Sequence, residues 1–249
     1  MHLRDAYADL VLGSTCLGCA TPGRMLCERC RATLPDGARD VRPVPCPPGL
    51  ARSTAAAPYD GLVKEMVIGL KERQLLALAR PLGDLLALAV ARHLPAPASA
   101  DVVLVPVPSR AASVRARGFD STRALATRAA ARLQARPVDD AGVFVAPLLR
   151  TRPGLRDQAG LDAQQRGANL AGALTCPASA LRRLARRHSE VVVILCDDVL
   201  TTGATAREGQ RALAAVGLPV AGIATVAATQ RRRHLDSRRV WLSFTEEAH

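Results

Sequence analysis

The chain has 249 residues and a formal charge of +12, and 49% of it is hydrophobic, enough for a real core without disulfide staples. Only 2% is aromatic, so the core must be built from Ala, Val and Leu, a make-up that suits a buried parallel sheet between helices. No apolar run reaches the roughly 18 residues of a membrane span, and Lys64 and Lys71 are the only lysines, so the basic character is carried by arginine. Two readings of the arginine excess stay open: a genome-wide composition bias, or a polyanionic partner matched by guanidinium forks.

The N-terminus, "MHLRDAYADLVLGSTC", carries Asp5 and Asp9 and only a short apolar patch, so it reads poorly as a secretion signal and a cytoplasmic protein is expected. Cys16 and Cys19, then Cys27 and Cys30, form two Cys-x2-Cys knuckles separated by a short turn containing Pro22-Gly23. In a reducing compartment, paired knuckles make a tetrahedral sulfur cage for zinc. No further ligand suggests an open position, so the expected zinc is structural and residues 1–45 form a small metal-binding module. A redox use of the knuckles is the alternative. Cys46, Cys176 and Cys196 are unpaired in sequence, and Cys196 reads as a small core residue.

Residues 31–58 are rich in proline and read as a linker, and 46–100 is expected to be linker followed by helix. Residues 59–94 carry a helical pattern, expected as two helices broken near Arg80-Pro81. "DVVLVPVPS" is a buried strand ending at Pro106 to Ser109, and a helix with an arginine-heavy start follows it. "GVFVAPLL" is another strand. Residues 150–175 are polar and dotted with glycine, a kind of long segment that is usually functional in a compact domain. "LRRLARRH" reads as a short basic helix or loop, "EVVVILC" as the best strand in the chain, "ATAREGQRALAAVG" as a helix with a glycine stop, and "PVAGIATVAA" as a further strand. Strands alternating with helices imply right-handed crossovers and an α/β domain over 101–230, with a basic tail at 231–249. His93, His188 and His234 show no ligand spacing and are expected at the surface.

The run "VVVILCDDVLTTGAT" ends its strand in Asp197 and Asp198. The loop Thr201, Thr202, Gly203, Ala204, Thr205 then leads directly into a helix. In open α/β sheets ligands bind beyond the carboxyl ends of strands. Carboxylates there suit sugar hydroxyls, and helix-start amides with neighbouring hydroxyls suit a phosphate. A nucleotide-binding loop of the Gly-Lys type is excluded, because the chain contains no Gly-Lys pair. A plain strand–turn–helix with an Asp cap is the simpler alternative.

The stretch Val191 to Thr205 resembles the PRPP-binding signature of type I phosphoribosyltransferases. The four-cysteine finger, "YDG", the following "LK", "VPVPSRAASVRARGFD", the segment with Gln158, Leu161, Arg166 and Asn169, and this signature also occur in the order of the ComF family. The resemblance implies a phosphoribosyltransferase-like parallel sheet flanked by helices. It implies that Asp197 and Asp198 hold the ribose and that Thr201 to Thr205 hold the 5-phosphate. It places a pyrophosphate loop at Val107, Pro108, Ser109 and Arg110, and a closing hood at residues 150–169, with Arg152 and Arg166 toward the leaving group and magnesium accompanying PRPP. Arg115 and Arg117 either add charge there or are solvated helix residues. Lys71 matches a family position, although an exposed helix lysine is the plainer reading. Two departures are Asp120-Ser121, where the family often has Asn-Gln, and the basic stretch before Glu190. The implied activity is transfer of ribose 5-phosphate from PRPP to an unknown acceptor, in nucleotide salvage or DNA uptake. The alternative is a non-catalytic adaptor that senses PRPP or a nucleotide and binds single-stranded DNA or a competence helicase.

Overall fold

A computed structural model describes residues 15–95, 100–109, 111–134, 142–152 and 172–229. The strands are β1 (Arg39–Val41), β2 (Ser53–Pro58), β3 (Asp101–Pro106), β4 (Val143–Val145), β5 (Arg150–Thr151), β6 (Leu174–Thr175), β7 (Val191–Leu200) and β8 (Val220–Ala228). Six of them form one sheet in the order β1-β2-β8-β7-β3-β4. All its neighbours are parallel except β1, which pairs antiparallel with β2 at one edge. β5 and β6 form a separate antiparallel ribbon. This is the α/β sheet that the alternation of strand and helix patterns predicts.

The helices are α1 (Glu28–Ala32), α2 (Gly61–Glu72), α3 (Ala79–Ala91), α4 (Ala111–Arg117), α5 (Ser121–Gln134), α6 (Ala178–Ala185) and α7 (Ala204–Ala214). Strand periodicity sorts β7 between two cores: Ile194 and Cys196 pack with α2, α3 and α5, while Val193 and Leu195 pack on the other face with α6 and α7. Both faces are therefore covered, which is why the strand sequences are continuously apolar. Among the described residues no helix is long and apolar enough to cross a membrane.

Several local readings are corrected. Residues 31–58 are not simply a linker, because they supply β1 and β2 to the sheet. β2 reads "STAAAP", without the β-branched signal of a strand, yet five of its six residues are buried. Small side chains let α3 and β8 approach it closely, and Thr54 Oγ1 donates to Ala89 O at 2.9 Å, so its buried hydroxyl is satisfied. The break between α2 and α3 falls before Arg80-Pro81, at Gln74, whose φ is +54°, and a 3-10 turn at Leu76–Leu78. Pro81 instead sits in the first turn of α3, where a missing N–H leaves no helical bond unmade. The helix after β3 is split at Gly118, with φ +75°, into α4 and α5. α7 ends as expected: Gly217 adopts φ +79°, and Leu218 N–H returns to Leu213 O at 3.1 Å.

The topology fixes where a ligand can bind. β3 pairs with β7 from Asp101↔Val191 to Pro106↔Cys196, and β7 then continues beside β8 alone as far as Leu200↔Ala228. The chain leaving β3 crosses one face of the sheet through α5, and the chain leaving β7 crosses the other through α7. Adjacent strands whose connections diverge to opposite faces leave a crevice beyond their carboxyl ends. Asp197, Asp198 and the loop at 201–205 stand on one side of it, and Val107 to Ser109 on the other.

Candidate functional site

The four sulfurs of Cys16, Cys19, Cys27 and Cys30 lie within 4.8 Å of one another and can hold a metal ion. A tetrahedral zinc with bonds of about 2.3 Å separates its sulfurs by about 3.8 Å. Cys19 Sγ and Cys27 Sγ stand 3.7 Å apart, a spacing consistent with zinc among the metals the cage could hold. The backbone shapes it: Ala20 N–H closes on Cys16 O at 2.8 Å, and the N–H groups of Cys27 and Cys30 point at Cys16 Sγ and Cys27 Sγ, each at 3.4 Å. A Cβ on Gly18 would lie 2.8 Å from Cys30 Sγ and 3.2 Å from Leu62 Cδ1, so only glycine fits between cage and α2. The Thr21 hydroxyl, 3.1 Å away, draws the Cys19 thiol well below its ordinary range, toward the thiolate a metal needs. Cys196 is fully buried and its thiol is pushed up by that burial, in keeping with its reading as a core residue.

The acids do not end the strand as expected: β7 runs on to Leu200 beside β8, so Asp197 and Asp198 lie within its paired length, Asp198 5% exposed and Asp197 half-buried. Asp197 Oδ1 accepts the Asp198 N–H at 2.9 Å. Burial, and next the charge of Asp198, raise the Asp197 carboxyl well above its usual range. Asp198 Oδ2 accepts no ordinary hydrogen bond, and its one ion-pair partner among the described residues is Lys71 Nζ, at the end of α2. Lys71, which reads plainly as an exposed helix lysine, thus reaches the acid pair directly. The sequence hint was thin: it is one of only two lysines in an arginine-rich chain.

Beyond the acids, Thr201 and Thr202 are exposed, Gly203 is buried, and Ala204 and Thr205 are half-buried. Gly203 takes φ +73° immediately before α7, so the chain turns sharply into the helix, and Thr202 Oγ1 accepts the first helical N–H, that of Ala204, at 3.4 Å. Thr229 N–H donates to Leu200 O at 3.0 Å and anchors the start of the loop. Across the crevice, Val107 is buried and its N–H is held by Cys196 O at 2.8 Å. Pro108 and Ser109 follow, half-buried. Ser109 Oγ donates to Asp120 Oδ1 at 2.9 Å, and the same oxygen caps α5 by accepting Arg123 N–H at 3.2 Å. Asp120 therefore ties the loop after β3 to the next helix.

Two supports around the site were not legible in the sequence. The proline-rich stretch 42–51 lies along α7: Arg207 Nε donates to Pro48 O and Gln210 Nε2 to Gly49 O, each at 2.9 Å, and Gln210 Oε1 accepts Ala51 N–H at 2.9 Å. A Cβ on Gly203 would meet Pro43 at 3.0 Å and Leu50 at 3.1 Å, so this strap seats directly behind the turn. On the far side of α7, Glu208 is 5% exposed, holds Arg211 through two bonds of 2.7 and 2.8 Å, and accepts Leu174 N–H at 2.9 Å. Burial works to raise this carboxyl, but the Arg211 guanidinium and the backbone donors outweigh it and hold it below the usual range. That clamp fixes β6, and with it the ribbon that β6 forms with β5.

Arg152 stands exposed at the tip of this ribbon, its N–H on Ala173 O at 2.9 Å. Arg110, Gln158, Leu161, Arg166, Asn169 and His234 lie outside the described residues. Arg117 is turned back toward α2, donating to Lys71 O at 3.3 Å. His93 and His188 are not free surface residues. His93 is half-buried against Thr54 Oγ1 at 2.9 Å, and His188 Nδ1 meets Asp101 Oδ2 at 2.7 Å. No protein-family model matches the chain, and no curated protein matches it significantly.

Proposed function

We propose that this chain is a PRPP-binding phosphoribosyltransferase-like protein of the ComF family. It transfers ribose 5-phosphate from PRPP to an acceptor, releases pyrophosphate, and serves DNA uptake or nucleotide salvage. The observation that carries the reading is the coincidence of three features at one crevice: an acid pair, a glycine-turned helix start, and a second loop on the neighbouring strand. In this reading Asp197 and Asp198 accept hydrogen bonds from the ribose hydroxyls. Thr201, Thr202, Gly203, Ala204 and Thr205 hold the 5-phosphate. Val107, Pro108, Ser109 and Arg110 face the pyrophosphate, with Arg152 and Arg166 approaching from the hood.

The bond from ribose C1 to the pyrophosphate oxygen breaks, its electron pair leaves with pyrophosphate, and the acceptor's lone pair forms the new bond to C1. Positive charge grows on the sugar while two carboxylates stand beside it, and negative charge grows on the leaving group beside arginine. Magnesium arriving with PRPP would neutralise the pyrophosphate, and the oxygen donors of Asp197 and Asp198 suit such a hard cation. Zinc in the cysteine cage has a structural role.

The test measures PRPP binding with magnesium, then pyrophosphate release across a panel of nucleobases. Turnover with one acceptor, and loss of PRPP binding in Asp197→Asn/Asp198→Asn, is the expected result. Unchanged PRPP affinity in that variant removes the assigned roles. The second reading, a sensor that binds PRPP without turnover and docks on single-stranded DNA or a helicase, is favoured by the existing Lys71–Asp198 pair, which already satisfies one acid. PRPP binding without pyrophosphate release selects it.

A further inference from the structure

Between the edge strand β4 and helix α6 lies a cavity of about 380 Å³, apart from the crevice beyond β3 and β7. Its floor is apolar, with Val103, Leu148 and Leu184 among its walls, and Arg123, Arg150, Arg183 and Arg187 border it. The basic stretch "LRRLARRH" therefore has a structural purpose: buried Leu184 fastens α6 to the sheet while Arg183 and Arg187, one turn apart, stay exposed at the cavity. Among the described residues no carboxylate pairs with Arg123, Arg183 or Arg187. Arg150 is fixed in place by donating to Pro147 O at 3.3 Å and Leu149 O at 3.1 Å. The nearby carboxylate, Asp101, is already engaged by His188 at 2.7 Å and by Gly142 N–H at 3.0 Å. Phe144 is 38% exposed at the same cavity, in a chain with three phenylalanines, and its ring lies 4.8 Å from the His188 ring at 50°.

Four exposed guanidinium groups around one apolar floor give the cavity a positive potential that attracts an anion. A bare phosphate would satisfy the arginines but leave the floor and the phenylalanine wet. A ligand with a flat apolar body and an anionic end satisfies both. We propose that this cavity is a second binding site, independent of the PRPP crevice, and that it takes a free nucleoside 5′-monophosphate. The base lies against Phe144 and the apolar floor, and the phosphate lies among Arg150, Arg183 and Arg187. The cavity is open to solvent on one side, and its volume of about 380 Å³ falls within the range of small-ligand clefts, which starts at about 300 Å³.

The test is calorimetric titration of the full-length protein with AMP, GMP, CMP and UMP. Saturable binding of at least one is expected. The variant Arg183→Ala/Arg187→Ala should weaken it by about tenfold or more, since it removes two charge-assisted donors to the phosphate. Phe144→Ala should weaken it while leaving inorganic phosphate affinity unchanged. Both arginines and Phe144 are solvent-facing, so circular dichroism should report intact folds. Thr202→Glu, which sets an acid in the exposed loop before α7, should leave the binding as it was and so separates this site from the PRPP crevice. No saturable binding by any of the four, binding indifferent to the arginine pair, or binding lost in Thr202→Glu would each overturn the proposal. So would inorganic phosphate competing as well as the nucleotide. Oligothymidylate whose affinity grows with length and depends on the same arginines would replace the free nucleotide with a single strand.

Discussion

Replacing Lys71 with methionine isolates the contact that joins α2 to the acid pair. The aliphatic stem is kept and the charge is removed, so Asp198, whose side chain is only 7% exposed, is left without its counter-charge. Removing one partner of a buried pair costs about 3–5 kcal/mol. The Lys71 side chain is itself 32% exposed, so water already screens part of the attraction, and we expect about 1.5–3 kcal/mol. Asp198→Asn should cost less, about 1 kcal/mol, because Lys71 can swing into solvent and the amide keeps the shape. The double variant should then be more stable than Lys71→Met alone, since the stranded charge is gone. Equilibrium urea unfolding at pH 7 with metal bound measures all four corners of the cycle. A Lys71→Met deficit below about 0.5 kcal/mol, or strictly additive single effects, would show that the pair is a surface contact and that α2 does not govern Asp198.

The raised Asp197 carboxyl makes its own pH signature. A carboxyl raised above its ordinary 3.8 favours folding below that value, and this contribution is lost as pH climbs through the raised value. Without ligand, Asp197→Asn should therefore gain thermal stability over the wild type progressively from about pH 4 upward; a pH-independent difference refutes it. In the cysteine cage, Gly18→Ala would bring a methyl to 2.8 Å from Cys30 Sγ, so the purified variant should carry substoichiometric zinc by elemental analysis. Full occupancy would mean that α2 yields instead of the cage. Glu208→Gln weakens the clamp on β6 by about 1–3 kcal/mol, and hydrogen exchange at Leu174 should accelerate ahead of Ala224 in the sheet centre. Equal acceleration at both would point to global destabilisation.

The legible parts of this chain are those written in local pattern. Val191 to Cys196 is an apolar run with four β-branched residues in succession, the pattern of a buried parallel strand. The cysteine knuckles are short-range geometry, and their spacing alone brings the sulfurs together. Gly217 marks a helix end through its own φ. What stayed illegible depends on partners distant in sequence. β2 is built from Ser, Thr and Ala, and its strand character comes from β8 and α3 rather than from its own propensity. The prolines of 42–51 signal a turn or linker equally well whether they hang free or lie on a helix. Only Arg207 and Gln210, about 160 residues later, decide between the two. Lys71 and Asp198 give no mutual signal at all, and Glu208 looks like an ordinary solvated helix acid until Leu174 is folded onto it.

Those distant contacts share a direction. The cysteine cage bears on α2 at two points: Gly18 meets Leu62 near its start, and Leu17 reaches Gly69, two residues before Lys71. The chain leaving the cage then adds β1, passes as a strap behind Gly203, and enters the sheet as β2. One end of the N-terminal segment thus bears on the helix that carries the lysine facing Asp198. The other end bears on the helix whose start follows the acid pair. A metal fixing Cys16, Cys19, Cys27 and Cys30 would therefore restrain α2 and the turn before α7, on the acid-pair side of the crevice, without touching the acids, because packed elements transmit displacement where loose ones absorb it. This gives a physical reason for a small metal module to be fused to a sheet that already has a core on each face. Leu17, Met25 and Leu26 add to the core on the α2 face, and the same segment bears on α2 and on the turn before α7, between which the acid pair lies.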